Sequence, residues 1–374
     1  MLGLHGLHTA FRGLPNVDVV AHVDPDGEDL EEKMAWTGAR NHYASIAEML
    51  DSQSPDIVVL TSRHPHDHLP QIETVARAGC HVYCEKPLTA SLFEADRIVE
   101  LAERNGVRIC MAHPCRYAPA FRTMKRMLEA GEIGRPHTVH GRGKCDHRGG
   151  GEDLIVLGTH ILDAQTFLFG APEYVYADIT EKGRRIERTD RTETVEEIGP
   201  AAGDSILAQF RFPGDVRGVF ESVRGLFDRS RDMTQMGITV VGTDGALSMR
   251  FDDAATRTLR ISRSRDALMY GARFEDVPLT EDREIPGAEP LDYSLCGQKD
   301  IPVARYFLEA NRFAAWDLIR AVEEDRQPVS SAYDARLTQE MIQGIYAAHL
   351  SGGMVRFPLA DRRHPLGEPA TGRG

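Results

Sequence analysis

Short apolar runs and amphipathic stretches alternate at a regular spacing along the first third of the chain. Apolar runs at residues 17–24, 56–60, 81–84 and 107–111 predict strands, and helices are predicted at 29–36, from 45, at 69–78 and at 91–106. Two helix starts, Ser45/Glu48 and Ser91/Glu94, have a hydroxyl and a carboxylate three residues apart, which is the capping box. Strands that alternate with helices of this length indicate a parallel, doubly wound sheet.

The pattern changes after about residue 118. The run Ile206–Phe212 alternates apolar and polar positions, which is typical of a strand with one buried face. Similar strands are predicted near 136–145, 216–223, 238–241, 246–251 and 259–262, with helices at 121–128, 313–324 and 334–350 and a charged loop at 181–203. We therefore predict two domains, residues 1–118 and residues 119–374, the second with a large, mostly antiparallel open sheet packed against helices.

The composition narrows the classes of function. The formal net charge is −13, from 44 Lys+Arg against 57 Asp+Glu, which disfavours nucleic acids and anionic membranes as partners. No apolar run is long enough to span a bilayer, and the N-terminus lacks the pattern of a signal peptide. The six cysteines form no C-x-x-C pair, and Cys84 and Cys110 fall in apolar runs that favour buried thiols. These features favour a cytoplasmic protein.

Four chemically active residues fall where predicted parallel strands end: Asp24, Thr61, Glu85 and His113. Right-handed crossovers bring these strand ends to one edge of the sheet, where ligands bind. A carboxylate at Asp24 suits the ribose hydroxyls of NAD and would repel the 2′-phosphate of NADP. The alternative for Asp24 is a solvated turn residue. We expect Pro25, Thr61, Ser62, His68 and Glu85 to share this cofactor site.

Lys86 directly follows a predicted strand in the sequence Glu85-Lys86-Pro87. At the edge of the sheet, near a nicotinamide, its ammonium group could hold a substrate hydroxyl and stabilise a developing alkoxide. The alternative is a surface lysine in a turn before a helix.

His160 begins a predicted helix after the glycine-rich stretch Gly149-Gly150-Gly151. A histidine titrates near neutral pH and can accept a hydroxyl proton, so His160 is a candidate general base. Asp163 lies three residues on, on the same helix face. The alternative for His160 is a partly buried residue bonded to backbone.

His64, His66 and His68 surround Asp67 in a pattern that could suggest a metal site. We expect no metal there, because loop histidines at this spacing around a proline rarely converge and no further strong ligand set accompanies them.

These motifs together resemble the Gfo/Idh/MocA oxidoreductase family, the glucose–fructose oxidoreductase and inositol dehydrogenase group. The matching pieces run in the family's order: Val19–Asp24, His68, Ala78–Pro87, Arg116–Pro119, Gly131–Gly134 and Gly158–Asp163. The resemblance implies a Rossmann domain, a C-terminal mixed-sheet domain, bound NAD(P) and a homodimer or homotetramer that associates through that sheet. It implies that Lys86 contacts cofactor and substrate, that His160 is the acid/base, and that Arg116, Tyr117 and Asp163 face the substrate.

The sequence departs from the family pattern at two places. The family often has an aspartate four residues before the catalytic histidine, and here that residue is Val156, so Asp153 or Asp163 would have to substitute. The usual first strand and its G-x-G-x-x-G turn are also not found before Val17. We therefore expect the first Rossmann strand to be truncated and the natural protein to start upstream of Met1. The alternative is that Gly3 and Gly6 form a shortened loop.

The first hypothesis for function is NAD(H)-dependent hydride transfer to or from a secondary hydroxyl of a sugar, cyclitol or glycoside. The second is a redox-neutral elimination or epimerisation of a sugar in which NAD is recycled within one cycle. The third is a non-catalytic sensor of a sugar and NAD. Net NADH formation separates the first from the second, and any turnover excludes the third.

Overall fold

The computed structural model describes residues 6–194, 198–227, 236–251, 259–265, 272–279, 284–295 and 305–367. The strands in chain order are β1 (Ala21–Val23), β2 (Asn41–Tyr43), β3 (Ile57–Leu60), β4 (His81–Cys84), β5 (Ile109–Met111), β6 (Pro136–Arg142), β7 (Tyr174–Glu181), β8 (Arg184–Arg185), β9 (Thr192–Glu193), β10 (Pro200–Ala201), β11 (Ser205–Phe212), β12 (Val216–Val223), β13 (Gly237–Gly242), β14 (Ala246–Arg250), β15 (Leu259–Ser262), β16 (Glu275–Val277) and β17 (Val355–Arg356). The helices are α1 (Leu30–Thr37), α2 (Ile46–Ser52), α3 (His68–Arg77), α4 (Leu92–Asn105), α5 (Pro119–Glu129), α6 (Gly151–Val156), α7 (Gly158–Phe169), α8 (Arg305–Glu323) and α9 (Ala332–Ser351).

The chain divides into two compact units. The first consists of Met1–Thr89, Glu94–Tyr117 and Asp282–Ala335, and the second of Ala90–Phe93, Ala118–Glu281 and Arg336–Gly374. One boundary lies at the position expected near residue 118. Residues 282–335, which we expected in the second domain, belong instead to the first unit.

The strands of the first unit are all parallel, as their alternation with helices predicts. They form two separate hydrogen-bonded sheets, one of β1 and β2 and one in the order β3-β4-β5. Ser45 caps α2 by accepting a hydrogen bond from the backbone N–H of Glu48 at 3.2 Å, so the predicted helix start is confirmed. Cys84 and Cys110 lie in strands with no exposed surface, which confirms the expectation of buried thiols.

Helix α8 completes the core of the first unit. Its Ala310, Ala314 and Leu318 are buried in one apolar cluster with Tyr83 and Cys110 of the parallel strands. The backbone N–H of Met111 also donates to the carbonyl of Ser330, so residues after α8 pair with the edge of β5. This packing explains why residues 282–335 join the first unit: the open face and edge of its sheet are covered by them.

A large sheet forms the second unit, with the order β16-β15-β14-β13-β6-β12-β11-β7-β17 and with β8 paired to β7. All its pairs are antiparallel except β6 with β12, as expected for a mostly antiparallel sheet. Helix α7 packs on it closely, since a Cβ placed on Gly141 of β6 would lie 2.3 Å from the side chain of Ile161. Within the described part of the chain, no helix is long and apolar enough to cross a membrane.

Candidate active site

Asp24 follows β1 and is 8% exposed. Its carboxylate accepts hydrogen bonds from Lys33 Nζ of α1 at 2.5 Å and from the backbone N–H of Asp26 at 3.0 Å. Burial raises the pKa of Asp24, but the hydrogen bonds from Lys33 and Asp26 and the charge of Lys33 outweigh burial and hold the pKa below its usual value. Asp24 is therefore an ionised, positioned acceptor, with a cation beside it.

The loop after β3 carries Thr61 and Ser62. Ser62 Oγ donates to Asp67 Oδ2 at 2.6 Å and accepts from the backbone N–H of His64 at 3.2 Å, which fixes the loop. His68 lies beneath it with no exposed surface, its ring nitrogens 2.8 Å from the carbonyl of Ser62 and 2.9 Å from that of Leu88. Both ring nitrogens thus contact backbone, so His68 joins the loop after β3 to the segment that follows Lys86.

Glu85 and Lys86 directly follow β4. The backbone N–H of Glu85 donates to the carbonyl of Leu60 at 2.9 Å, so this segment continues alongside the end of β3. Glu85 is 1% exposed, and its carboxylate accepts from the backbone N–H of Lys86 at 2.9 Å. Lys86 is 6% exposed, which excludes the alternative of a surface lysine in a solvated turn.

Arg116 and Tyr117 contact helices α8 and α9 and the segment between them. Tyr117 is 5% exposed, and its hydroxyl donates to Asp317 Oδ2 at 2.9 Å and accepts from the backbone N–H of Ser330 at 3.0 Å. Arg116 Nη1 lies 3.1 Å from both the carbonyl of Val329 and Asp334 Oδ1. These contacts lie inside the first unit and join the segment after β5 to α8 and α9. That Arg116 and Tyr117 also face substrate stays a prediction.

The glycine-rich stretch and the histidine motif belong to the second unit. Helix α6 begins at Gly151, and α7 begins at Gly158, so His160 lies in the first turn of α7, as expected. His160 is 1% exposed and Asp163 has no exposed surface. Val156, the position at which the family often has an aspartate, ends α6 and is buried.

Asp153 is the buried carboxylate nearest in sequence to Val156. Its Oδ2 accepts from Ser222 Oγ of β12 at 2.6 Å and from the backbone N–H of Cys145 at 3.4 Å, while Ser222 Oγ also accepts from the N–H of Gly150 at 3.0 Å. Burial raises the pKa of Asp153 above its usual value, although the hydrogen bond from Ser222 acts to lower it. Asp153 therefore holds the glycine turn against the sheet.

A cavity of about 990 Å³ in the first unit is lined by both Asp24 and Ser62, together with Pro25 and Thr61. Its size lies at the upper end of the range for small-molecule sites. The adenosine half of NAD fits these residues, because Asp24 offers an acceptor to ribose hydroxyls. Residues 1–5, which include Gly3 of the expected short loop, lie outside the described residues. The described residues that line the cavity include no glycine that could form a turn around the pyrophosphate.

Sequence reasoning missed Lys33 as the partner of Asp24, and His42, whose Nε2 lies 2.9 Å from the carbonyl of Asp24. The signal for Lys33 was present, since the helix that follows a strand in a βαβ unit starts beside the end of that strand. Ser222 had no signal, because its role arises from strand pairing between distant segments. Within the described residues there is no group of three or more His, Cys, Asp or Glu side chains that could hold a metal ion.

Comparison with known proteins gives matches over most of the chain. The family model for the Gfo/Idh/MocA oxidoreductase family with its NAD-binding Rossmann fold matches residues 4–113, and the model for the Gfo/Idh/MocA C-terminal domain matches residues 121–248. D-apiose dehydrogenase from Paraburkholderia graminis is 33% identical over 171 residues, covering 43% of this chain and 45% of that protein. Inositol 2-dehydrogenase 3 from Saccharopolyspora erythraea is 32% identical over 149 residues, covering 40% and 42%.

The aligned part of the chain thus spans less than half the length of these two relatives. The fold match is more extensive. The structure of levoglucosan dehydrogenase in complex with NADH and levoglucosan superposes with a TM-score of 0.70 at 18% identity, covering 95% of each chain. Since both family models match in sequence and the same two-part fold extends over nearly the whole length, the chain belongs to the Gfo/Idh/MocA oxidoreductase family.

Proposed function

We propose that the protein is an NAD(H)-dependent dehydrogenase of a sugar, cyclitol or glycoside. The observation that carries this proposal is the buried Lys86, which directly follows β4 beside the end of β3, in the unit in which the ionised Asp24 follows β1. The relatives named D-apiose dehydrogenase and inositol 2-dehydrogenase support a polyol substrate.

The reaction removes a hydride from the carbon of a secondary alcohol and a proton from its hydroxyl, leaving a ketone or lactone. NAD, when bound, supplies the acceptor of that hydride. We assign to Lys86 a hydrogen bond that orients the hydroxyl and stabilises negative charge on its oxygen. We assign to His160 the acceptance of the hydroxyl proton. Asp24 would orient the adenosine ribose and disfavour a 2′-phosphate.

Val156 lends weight to the sensor hypothesis, because it stands where the family often has an aspartate four residues before His160. In the other candidate NAD is recycled, and the same oxidation acidifies a neighbouring C–H for elimination or epimerisation. In that case the hydride returns to the substrate and no NADH accumulates.

Purified protein incubated with NAD and a panel of pentoses, hexoses, cyclitols and anhydrosugars tests the proposal. We expect NADH to form, as measured by absorbance at 340 nm, with at least one polyol. Sugar converted without NADH, as measured by chromatography, would favour recycling. Binding of NAD and sugar without any conversion would leave only the sensor hypothesis.

We also propose that the protein associates as a homodimer or homotetramer through the large sheet. Tyr176 of β7 and Leu207 of β11 are 47% and 46% exposed on neighbouring strands, which leaves an apolar patch on one face of the sheet. Leu207→Asp should lower the mass measured by light scattering, whereas Leu226→Asp, at an exposed leucine outside the strands, should not. Equal masses for both variants would place the interface elsewhere.

A further inference from the structure

One buried hydrogen-bond network of the second unit joins three separate parts of the chain. Ser222 of β12 has no exposed surface, and its Oγ donates to Asp153 Oδ2 at 2.6 Å. The same Oγ accepts from the backbone N–H of Gly150, in the turn before α6, at 3.0 Å. Asp153 Oδ2 also accepts from the backbone N–H of Cys145, which follows β6, at 3.4 Å. The network therefore fixes the turn before α6 against two strands of the large sheet.

The chain around this network has glycine where a side chain would not fit. A Cβ on Gly143 would lie 2.1 Å from Asp153 Oδ2, and a Cβ on Gly149 would lie 2.4 Å from the backbone of Val223. Such close approaches are possible only for residues without a side chain. The contact between the turn and the sheet is thus made largely by backbone atoms, which leaves its geometry closely defined.

A short path of backbone hydrogen bonds leads from this network to His160. Helix α6 has only 6 residues, Gly151–Val156. At its end the N–H of Leu157 donates to the carbonyl of Asp153 at 2.9 Å, and the N–H of His160 donates to the carbonyl of Leu157 at 3.0 Å. The position of His160 in the first turn of α7 therefore depends on where Asp153 is held.

The side chain of Asp153 is suited to hold a position rather than to supply a charge. It has no exposed surface, and its Oδ1 has no hydrogen-bond partner within the described residues. Burial raises the pKa of this carboxyl, which favours its neutral form relative to an exposed aspartate. The contacts with Ser222 and Cys145 are both made by Oδ2. An amide side chain of the same shape could accept the same two hydrogen bonds.

We propose that Asp153 is a positioning residue for His160. Together with Ser222 it fixes the turn at Gly150, and through the short helix α6 it sets where the ring of His160 lies. Resting on the proposed function, this places the ring to accept the hydroxyl proton of the substrate, a step that a misplacement of about 1 Å can slow by a large factor. Asp153 acts on the reaction only through His160.

Four variants test the proposal: Ser222→Ala, Asp153→Ala, Asp153→Asn and the control Gln165→Met. Gln165 of α7 has no exposed surface, and its Nε2 donates to the carbonyl of Val219 of β12 at 2.8 Å. The control thus removes another buried bond to the same strand without touching the turn. The ring C–H resonances of His160 are recorded by NMR across pH in each variant, together with the midpoint of thermal unfolding, and are assigned by their loss in His160→Gln.

We expect Ser222→Ala and Asp153→Ala to shift the resonances of His160 and to lower kcat for a polyol about tenfold or more, with the Kd of NAD unchanged. Asp153→Asn should keep both the resonances and kcat close to those of the unsubstituted protein, because its amide oxygen can accept from Ser222. Gln165→Met should lower the thermal midpoint without either effect. The double variant Asp153→Ala/Ser222→Ala should lose no more activity than either single variant, since both residues act in one network.

Unchanged resonances of His160 in folded Ser222→Ala and Asp153→Ala would overturn the proposal. A loss of kcat in Asp153→Asn as large as in Asp153→Ala would also overturn it, because the charge of the carboxylate would then matter. The resonances are measured without substrate, so they decide the role of Asp153 even if no polyol is oxidised. In that case shifted resonances would keep the positioning role, and only the proposed function would fail. If Asp153→Ala does not fold, Ser222→Ala gives the same decision.

Discussion

The pairing of Asp24 with Lys33 determines how the adenosine end should respond to substitution. Asp24→Ala removes a charge-assisted acceptor, and we expect NAD binding to weaken by about 1.5–3 kcal/mol and the NAD/NADP affinity ratio to narrow. Lys33→Ala leaves the carboxylate without its cation, so the ratio should widen, because NADP loses the nearby positive charge. Dissociation constants of NAD and NADP, measured for each variant, give the affinity ratio. If the NAD/NADP affinity ratio is unchanged in both variants, Asp24 does not contact the ribose.

A second prediction at the residue scale concerns Lys86 and His160. Lys86→Ala and His160→Ala should each lower turnover by a factor of about a hundred or more, the usual range for an acid/base group. The control substitutions Lys182→Ala and His137→Ala, both at exposed positions, should leave turnover unchanged. Near-normal turnover of folded His160→Ala would assign the proton transfer to another group, with Lys86 the first to examine.

Individual residues differed in how far the sequence could predict them. The positions of Asp24 and Lys86 after parallel strands could be predicted, because the apolar runs before them identify those strands. The contacts of Arg116 and Tyr117 could not be predicted, because their partners, such as Asp317, lie about 200 residues away in the chain. A motif indicates that a residue is present, but whether its hydroxyl faces a ligand or a helix depends on long-range packing.

At the scale of elements, the glycine turn before α6 should tolerate no side chain. Gly150 has a φ of 87°, and a Cβ there would lie 2.4 Å from the carbonyl oxygen of Gly203. Gly183 has a φ of 78° with nothing within 4 Å of such a Cβ, so Gly183→Ala measures the backbone strain alone, about 1–2 kcal/mol. Gly150→Ala should lower the thermal midpoint clearly further. Equal losses would show that the neighbouring strand end can move aside.

Helices and strands with a strong periodicity of apolar residues were predicted well. Those whose bounds or packing depend on distant segments of the chain were predicted poorly. β4 and β12 have the predicted bounds, because unbroken apolar or alternating runs define them. Helix α8 begins several residues before its predicted start and belongs to the other unit. Its apolar face was visible in the sequence, but the sheet that this face covers was not.

For the whole molecule, a buried histidine links stability to pH. His364 is 4% exposed, and burial together with the charge of Arg191 lowers its pKa to about 4. Between pH 6.5 and 4 the unfolded chain therefore binds more protons than the folded chain. The contribution of His364 to the free energy of unfolding is complete above pH 6.5 and falls by about 3 kcal/mol as the pH drops to 4.

His364→Asn should flatten this dependence, because an amide does not titrate in this range but can still accept the hydrogen bond that the backbone N–H of Leu366 donates to Nδ1. Urea unfolding at pH 7 and pH 4.5 measures the effect, with exposed His137→Asn as the control. An unchanged loss of stability in His364→Asn would assign the acid sensitivity to other groups.

The passage of the chain through both units has a consequence for biosynthesis. A ribosome completes β1 to β5 early, but the helix that covers Tyr83 and Cys110 lies some 200 residues later, after nearly all of the second sheet. The apolar face of the nascent first unit therefore stays uncovered while most of the second unit is synthesised. Domains usually fold in order of synthesis, and here the unit that emerges first is completed only after most of the second sheet has been made, so chaperone demand should be greatest during translation of residues 118–305.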